Sequence, residues 1–231
     1  MKAALYDVVV DCKALLIIII ITVMKTIILI SVACALLVAR IDSLRLPFIA
    51  GNWKMNTDLR SAIKLANDLV QLTKDTDKKK VEIAIFVPYP FIRDVKRVVE
   101  GSSIKVGAQN IFYESKGAYT AAVSASMLSS IDCEYVLVGH SERRAIFGES
   151  DIDINRSLKQ VMANGMKPVL CIGETREEYE LGLNNAICAV QLSRGLAGLS
   201  AEEVSNVVIA YEPVSMIYNY IISSLTIVEH L

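Results

Sequence analysis

From Leu46 onwards, short apolar runs alternate with longer stretches in which apolar and charged positions recur every three or four residues. The apolar runs predict six strands: Phe48–Trp53, Val81–Val87, Ile104–Ala108, Tyr135–Gly139, Pro168–Gly173 and Val207–Tyr211. The longer stretches, of which Leu59–Asp75 and Glu177–Leu196 are the clearest, predict crossover helices. Runs that are apolar throughout indicate strands buried on both faces, and helical crossovers between them predict a parallel α/β sheet. An α/β barrel and a doubly wound open sheet both fit this pattern.

The first 45 residues follow a different pattern. Residues 14–39 are almost entirely apolar and are long enough to span a bilayer, although Lys25 would cost about 2.5–3.5 kcal/mol to insert. Three interpretations of this extension stay open. It is a membrane anchor, or a signal peptide that starts at Met24, or sequence that the native protein lacks because the gene start was misassigned. Only residues 14–39 could attach this protein to a membrane.

Composition and charge narrow the class of protein. A chain of 231 residues with 53% hydrophobic residues can bury one sizeable core, which favours a single domain. The net charge of −1 provides no general attraction for nucleic acid, so a small molecule or a protein is the expected partner. The five cysteines show neither CxxC nor metal-like spacing, which argues against a disulfide framework and favours a reducing compartment.

Polar residues concentrate where the predicted strands end. They are Asn52, Lys54, Gln109, Asn110, His140, Ser141, Glu142, Glu174 and Glu212. In a parallel barrel the carboxyl ends of all strands meet at one mouth, where groups from several strands can surround one substrate. The chain contains neither GxGxxG nor GxxxxGK[ST], which leaves the nucleotide-binding version of an open sheet with little support.

Individual residues at this mouth have both a structural and a chemical interpretation. His140 precedes "SERR", which could begin a helix whose backbone N–H groups face the imidazole and disfavour its protonation. Lys54 is a surface lysine or the cation that attracts an anionic substrate, and Glu142 is its ion-pair partner or a catalytic group. Glu212 caps its strand or, held at the end of a dry strand, acts as a general base. We assign Cys171 to the core.

Five motifs together resemble the triosephosphate isomerase family. They are "FIAGNWKMN", "GAYT", "VGHSERR", "VLCIGE" and "VVIAYEPV", and they stand in the family's order from Pro47 to about Val214. The resemblance implies a TIM (β/α)8 barrel, of which this chain holds about six of the eight β/α units. We therefore expect three regions: a hydrophobic extension at residues 1–45, a partial barrel at 46–214 and a divergent tail at 215–231.

The resemblance also implies the chemistry of the site. It places six residues there: Asn52, Lys54, His140, Ser141, Glu142 and Glu212. Asn52 and Lys54 would bind substrate, and Lys54 would also balance the charge of the phosphate and of the developing enediolate. His140 would polarise the carbonyl as a neutral electrophile, and Glu212 would move the carbon-bound proton, while Ser141 and Glu142 would support them. The reaction would interconvert glyceraldehyde 3-phosphate and dihydroxyacetone phosphate, in glycolysis and gluconeogenesis, without a metal or organic cofactor.

The chain departs from the family after Val214. Family members continue as "YEPVWAIGTG", the mobile lid, and then supply two further strands and glycine-rich loops that hold the phosphate, whereas this chain reads "SMIYNYIISS" from Ser215. The strands Phe48–Trp53 and Val207–Tyr211 would then each lack a neighbour. We expect impaired activity because the enediolate would be exposed to water. The alternative is a catalytically inactive derivative that is tethered to a membrane or binds a partner.

Assembly and location follow from the same resemblance. The loop Gly117–Ala122 reads "GAYTAA" where the family usually reads "GAYTGE", in the segment that reaches into a partner subunit. This departure restricts the backbone and removes a possible ion pair. The resemblance itself implies a homodimer that acts on a small phosphorylated triose and does not bind nucleic acid. The expected location is the cytoplasm, unless residues 14–39 direct the protein to a membrane or into secretion.

Overall fold

Strands of the parallel part of the sheet follow one another in chain order. The computed structural model describes residues 15–19, 46–212 and 225–230. In these ranges the strands are β1 (Leu15–Ile19), β2 (Phe48–Asn52), β3 (Glu82–Val87), β4 (Ile104–Ala108), β5 (Tyr135–Val138), β6 (Lys167–Ile172), β7 (Val208–Tyr211) and β8 (Leu225–His230). From β3 to β7, each strand pairs in parallel with the one before it. The order shows no reversal, so this is barrel order and not the order of a doubly wound sheet.

The predicted strands and the parallel sheet are confirmed. All six predicted apolar runs are strands whose ends agree with the prediction to within one residue. The agreement is close because a parallel strand covered on both faces needs apolar residues at every position, which makes its bounds visible in the sequence.

Helices connect these strands. They are α1 (Leu59–Thr73), α2 (Ile92–Val99), α3 (Ala125–Ser129), α4 (Ser141–Phe147), α5 (Asp151–Ala163), α6 (Arg176–Glu180), α7 (Asn184–Gly195) and α8 (Ala201–Ser205), with a 3-10 turn at Tyr89–Phe91. Helix α1 begins where Asp58 accepts a hydrogen bond of 2.8 Å from the Ser61 N–H. The prediction of one helix over Glu177–Leu196 is wrong. The chain breaks between α6 and α7, where Gly182 adopts a left-handed φ of 70°.

Both faces of the parallel strands are buried. One set of strand residues fills the barrel interior: Phe48, Ala50, Ala84, Phe86, Tyr135, Leu137, Val169, Cys171, Val208 and Ala210. Their neighbours along the strands, such as Ile85, Val136 and Leu170, belong to a second cluster that includes buried helix residues. Since successive strand residues point to opposite faces, the interior and the outer layer share the same strands. Cys171 is 1% exposed in the interior cluster, which confirms its assignment to the core.

Two antiparallel strands continue the sheet beyond β7. Strand β8 pairs with β7, with Ala210 opposite Val228, and β1 pairs with β8, with Ile17 opposite Ile227. The prediction that the strand at Val207–Tyr211 lacks a neighbour is therefore wrong. A strand can pair antiparallel with a free edge without a helical crossover. The tail after residue 214, which has no helical periodicity, can therefore supply the partner strand. Strand β2 stands at the other end of the sheet order from β1, and the two are not hydrogen-bonded.

The predicted membrane segment is only partly covered by the structure. Apart from β1, residues 14–39 lie outside the described residues, as does the alternative start at Met24. In the described part of the chain, no helix combines the length and the apolar character needed to cross a bilayer.

The helix layer provides a test of packing. Leu158 on α5 is fully buried, whereas Leu72 on α1 is 70% exposed. We expect Leu158→Ala to lower the free energy of unfolding by about 2–5 kcal/mol, because it leaves a cavity between helix and sheet. The matched exposed change Leu72→Ala is expected to alter it by less than about 0.5 kcal/mol. Guanidinium denaturation of both variants measures the difference, and equal losses would contradict the packing described above.

Candidate active site

Six of the nine polar residues predicted at the barrel mouth, those that the family resemblance assigned to the site, lie close together in the structure. Asn52 is the last residue of β2, His140 follows β5 by two residues and Glu212 directly follows β7. Contacts then run in a chain: the Lys54 Nζ lies 3.1 Å from Glu142, Glu142 lies 3.5 Å from the His140 Nδ1, and the His140 Nε2 lies 2.9 Å from Glu212. The parallel sheet produces this convergence because all these strands end at the same edge.

The Glu212 carboxylate is buried and held by two donors. Glu212 is 4% exposed and His140 is 5% exposed. One carboxylate oxygen contacts the His140 Nε2, and the other accepts a hydrogen bond of 3.1 Å from the Ser141 N–H. The Glu212 backbone N–H donates to the Ile172 carbonyl at 2.8 Å. The acid is therefore positioned through both its backbone and its side chain.

Helix α4 determines the state of the imidazole. The helix begins at Ser141, as the sequence predicted, His140 is its N-cap residue, and the His140 Nδ1 accepts a hydrogen bond of 3.2 Å from the Glu142 N–H. An Nδ1 that accepts leaves the proton of the neutral ring on Nε2, the atom that faces Glu212. The ring can therefore act as a hydrogen-bond donor from Nε2.

The expectation that His140 has a disfavoured protonated form is wrong for this unliganded arrangement. Burial lowers the pKa of His140, but the charge of Glu212, its hydrogen bond to the ring and the charge of Glu142 together raise it more, so the pKa lies above its ordinary value. Burial raises the pKa of Glu212, but the contacts with His140 and Ser141 lower it by more than burial raises it. The pKa of this carboxyl therefore lies below its ordinary value. The sequence argument considered only the helix terminus, because the Glu212 contact joins residues far apart in the chain.

A strained loop presents Lys54. Its φ of 52° is unusual for a residue with a side chain. Asn52 Oδ1 accepts the Lys54 N–H at 2.9 Å, and Gln109 donates to the carbonyls of Lys54 and Phe86 at 2.9 and 3.1 Å. These bonds hold the loop in its strained conformation. Of the two interpretations of Glu142, the structure shows the ion pair with Lys54, and because both side chains are partly exposed a bound anion could compete for the lysine.

Other strand-end residues do not join this chain of contacts. Glu174 is 1% exposed and accepts hydrogen bonds from the Tyr211 hydroxyl, the shorter being 3.1 Å. Asn110 donates to Glu149 at 2.8 Å. These residues support loops around the mouth.

Sequence reasoning missed the role of Arg144. This arginine of "SERR" donates to the Gly139 carbonyl at 2.7 Å, pairs with Asp151 at 2.7 Å and reaches the Cys171 carbonyl at 3.3 Å. It thereby joins the end of β5 to β6 and α5, next to His140. The signal was the arginine just after a strand end, but its partners lie on other elements and no local pattern identifies them.

A cavity of about 610 Å³ lies at the opposite end of the sheet, close to the amino ends of β4 and β5. Lys96 and Lys105 line it, and both pair with Glu134, at 2.5 and 2.6 Å. The charges there largely neutralise one another, and none of the six mouth residues lines this space. The converging buried groups at the mouth, and not the volume of a cavity, identify the candidate active site.

A parallel α/β sheet in barrel order, with a buried acid, an imidazole and a lysine at the carboxyl ends of its strands, defines an enzyme of the α/β-barrel class. The family model described as triosephosphate isomerase matches residues 47–226. The triosephosphate isomerases of Carboxydothermus hydrogenoformans and Chlorobium phaeobacteroides are each 46% identical to this chain over 171 residues, which are 74% of this chain and 67% of each relative. The crystal structure of triosephosphate isomerase from Bartonella henselae aligns with a TM-score of 0.65 at 34% identity, covering 74% of this chain and 69% of that one.

This chain therefore belongs to the triosephosphate isomerase family. The resemblance found in the five motifs is confirmed, and with it the barrel fold. The chain spans about two thirds of the length of these relatives. The family match also extends to residue 226, past the boundary expected at residue 214.

The buried pair provides a test by titration. We expect Glu212→Gln to lower the pKa of His140, because the substitution removes the negative charge that favours the imidazolium. The matched change Glu142→Gln should lower it less, since Glu142 is more exposed and lies 3.5 Å away, not 2.9 Å. NMR titration of the ring measures both effects, with His230, the other histidine, as an internal reference. An unchanged His140 titration in Glu212→Gln would contradict the contact.

Proposed function

We propose that this chain interconverts glyceraldehyde 3-phosphate and dihydroxyacetone phosphate, with Glu212 as the base and His140 as the electrophile. The observation that carries the proposal is the buried contact between these two side chains at the barrel mouth, beside Lys54, in a chain of this family. Relatives with this pattern bear the name triosephosphate isomerase.

Glu212 is suited to accept a proton from carbon. Its contacts with His140 and Ser141 lower its pKa and keep it ionised, and a buried carboxylate that leaves these donors has a higher pKa and is a stronger base. In the unliganded site its oxygens are occupied by His140 and the Ser141 N–H, so the carboxylate has to leave both donors to reach a substrate carbon. It would then hold the abstracted proton and return it to the neighbouring carbon.

His140 takes up its role when Glu212 turns towards the substrate. The charge that raises the pKa of the ring then moves away, while the Glu142 N–H continues to occupy Nδ1 and favours the neutral form. The freed Nε2–H can donate to a substrate oxygen and stabilise the developing enediolate. By passing its proton to one substrate oxygen and taking a proton from the other, the ring would complete the exchange of carbonyl and hydroxyl groups. The same carboxylate movement thus prepares both the base and the electrophile.

Lys54 supplies the positive charge that a phosphorylated substrate requires. A phosphate dianion carries more charge than the partly exposed Glu142 carboxylate and would compete with it for the Lys54 ammonium. Asn52 keeps the lysine loop in place, and Ser141 and Glu142 support the acid and the imidazole. Every proposed step is a proton transfer or a charge interaction of these groups, so the proposal includes no metal or organic cofactor. We place the reaction in the cytoplasm.

Direct assay of the full chain tests the function. We expect isomerisation of glyceraldehyde 3-phosphate, at a rate below that of relatives, since Ser215 begins a sequence unlike the family's lid. Glu212→Gln should lower kcat by about 10²–10⁴-fold, because it removes the base. Glu203→Gln, an exposed change on α8, should leave kcat unchanged.

The opposite result is equally informative. If the folded chain does not isomerise the substrate, or if Glu212→Gln is as active as the parent, the isomerase proposal fails. The first of these outcomes would favour the alternative of a catalytically inactive derivative that binds a partner or a membrane.

We also propose that the chain forms a homodimer. Segments that follow β2, β4 and β5 carry exposed apolar side chains: Met55 is 97% exposed, Tyr119 45% and Phe147, at the end of α4, 63%. They lie at the same edge of the sheet as the candidate site, and a second copy could remove them from water. The loop with Tyr119 belongs to the "GAYTAA" segment for which the sequence predicted a contact with a partner.

Sedimentation velocity tests this assembly. We expect the parent chain to sediment as a dimer and Met55→Asp to shift it towards monomer, because a charge would be buried without a partner. Leu72→Asp places the same charge on an exposed site of α1 and should leave the dimer intact. A monomeric parent, or dissociation by both variants alike, would contradict the proposed surface.

A further inference from the structure

We propose that Gln191 is a positioning residue for Glu212 and acts through the backbone of Gly173. The proposal rests on the isomerase function proposed above, in which Glu212 is the base. Gln191 lies on α7, outside the group of six mouth residues, and no sequence motif pointed to it.

The side-chain amide of Gln191 holds both backbone polar groups of Gly173. The Gly173 N–H donates to the Gln191 Oε1 at 2.8 Å, and the Gln191 Nε2 donates to the Gly173 carbonyl at 3.0 Å. Gly173 directly follows β6, where the ladder with β7 has ended. The Gln191 amide therefore continues the hydrogen bonding of β6 by one residue. A side chain without an amide at position 191 would leave the Gly173 N–H and carbonyl unpaired.

Glu212 rests directly on Gly173. A Cβ added to Gly173 would lie 2.4 Å from the Glu212 carbonyl oxygen and 3.5 Å from its Cβ, so the two backbones are as close as a glycine allows. The preceding residue, Ile172, accepts the Glu212 N–H at 2.8 Å. Any displacement of the backbone at residues 172–173 is thus passed to Glu212 by contact and by a hydrogen bond.

Helix α7 is itself held close to β6. Gly195 stands four residues after Gln191, on the same side of the helix, and a Cβ there would lie 2.9 Å from the Leu170 side chain. The small residue lets the helix approach the strand, and this approach brings the Gln191 amide within reach of Gly173. The two contacts act together to locate the end of β6.

The consequence for catalysis is geometric. The Glu212 carboxylate has to contact His140 in the unliganded site and then reach a substrate carbon, so a shift of its backbone affects both positions. A displacement of about 1 Å at a catalytic group can cost up to about 10²-fold in rate. Substrate binding through Lys54 and Asn52 depends on β2 and its loop, which Gln191 does not contact.

The test compares Gln191→Leu with Gln160→Leu in the full chain. Gln160 is a half-buried glutamine on α5 and serves as the matched control. For Gln191→Leu we expect kcat to fall about 10-fold with KM changed less than about twofold. We also expect the Gly173 amide to exchange with solvent at least about 10-fold faster, because its hydrogen-bond acceptor is lost.

A readout without substrate separates this proposal from the proposed function. The groups that face the His140 ring are Glu212, Glu142 and Lys54, and only Glu212 depends on Gly173. We expect NMR titration to show a lower His140 pKa in Gln191→Leu than in the parent, as the carboxylate moves away from Nε2. If the parent lacks isomerase activity while this titration and the Gly173 exchange change as expected, the proposed function fails and the positioning role stands.

The overturning result is equally definite. The proposal is wrong if the His140 titration, the Gly173 exchange and kcat in Gln191→Leu all match those of Gln160→Leu. Should Gln191→Leu not fold, Gln191→Asn carries the same test, because it keeps the amide but is one methylene too short to reach Gly173. Gln191→Glu retains an acceptor for the Gly173 N–H, so its kcat should lie between the parent and Gln191→Leu.

Discussion

The parallel ladder from β5 through β7 is the constraint on which the site depends. Its register places Val138 opposite Leu170, and Leu170 opposite Ile209. This register aligns the carboxyl ends of β5 and β7, so that His140 and Glu212, which follow these two strands, are in contact across the end of β6. A slip of one residue would turn every side chain of a strand to the other face, which would expose the interior cluster and separate the acid from the imidazole. Packing on both faces of the sheet therefore protects the catalytic geometry.

Charged and polar groups follow one another along the mouth. Lys54, Glu142, His140 and Glu212 are in successive contact, from the partly exposed ammonium to the buried carboxylate. The buried contact between His140 and Glu212 is strong, whereas the ion pair between Lys54 and Glu142 is weak because water screens an exposed ion pair. An anionic substrate would therefore be admitted at the lysine, where the competing carboxylate is easily replaced. The acid at the other end stays protected from water.

The sheet of this chain combines a family pattern with an added edge. Strands β2 to β7 run in the parallel order of the barrel, while β8 and β1 continue it in antiparallel pairing. Backbone ladders of either kind satisfy the polar groups of an edge strand, so β7 does not require a parallel neighbour. The apolar β7, with Ala210 in the interior cluster, is thereby covered on both sides.

Local patterns in the sequence determined the six strands, the start of α4 at Ser141 and the set of residues at the mouth, because burial on two faces, helix capping and strand ends are all properties of short segments. Only the tertiary structure decided the break of the helix at Gly182, the three partners of Arg144, the clamp from Gln191 to Gly173 and the raised pKa of His140. The partners of Arg144, the clamp from Gln191 and the pKa of His140 depend on distances between groups remote in the chain. The break at Gly182 is a choice between one helix and two, and both fit the same apolar periodicity. Long-range distance is fixed by strand register and helix packing, and no local pattern encodes it.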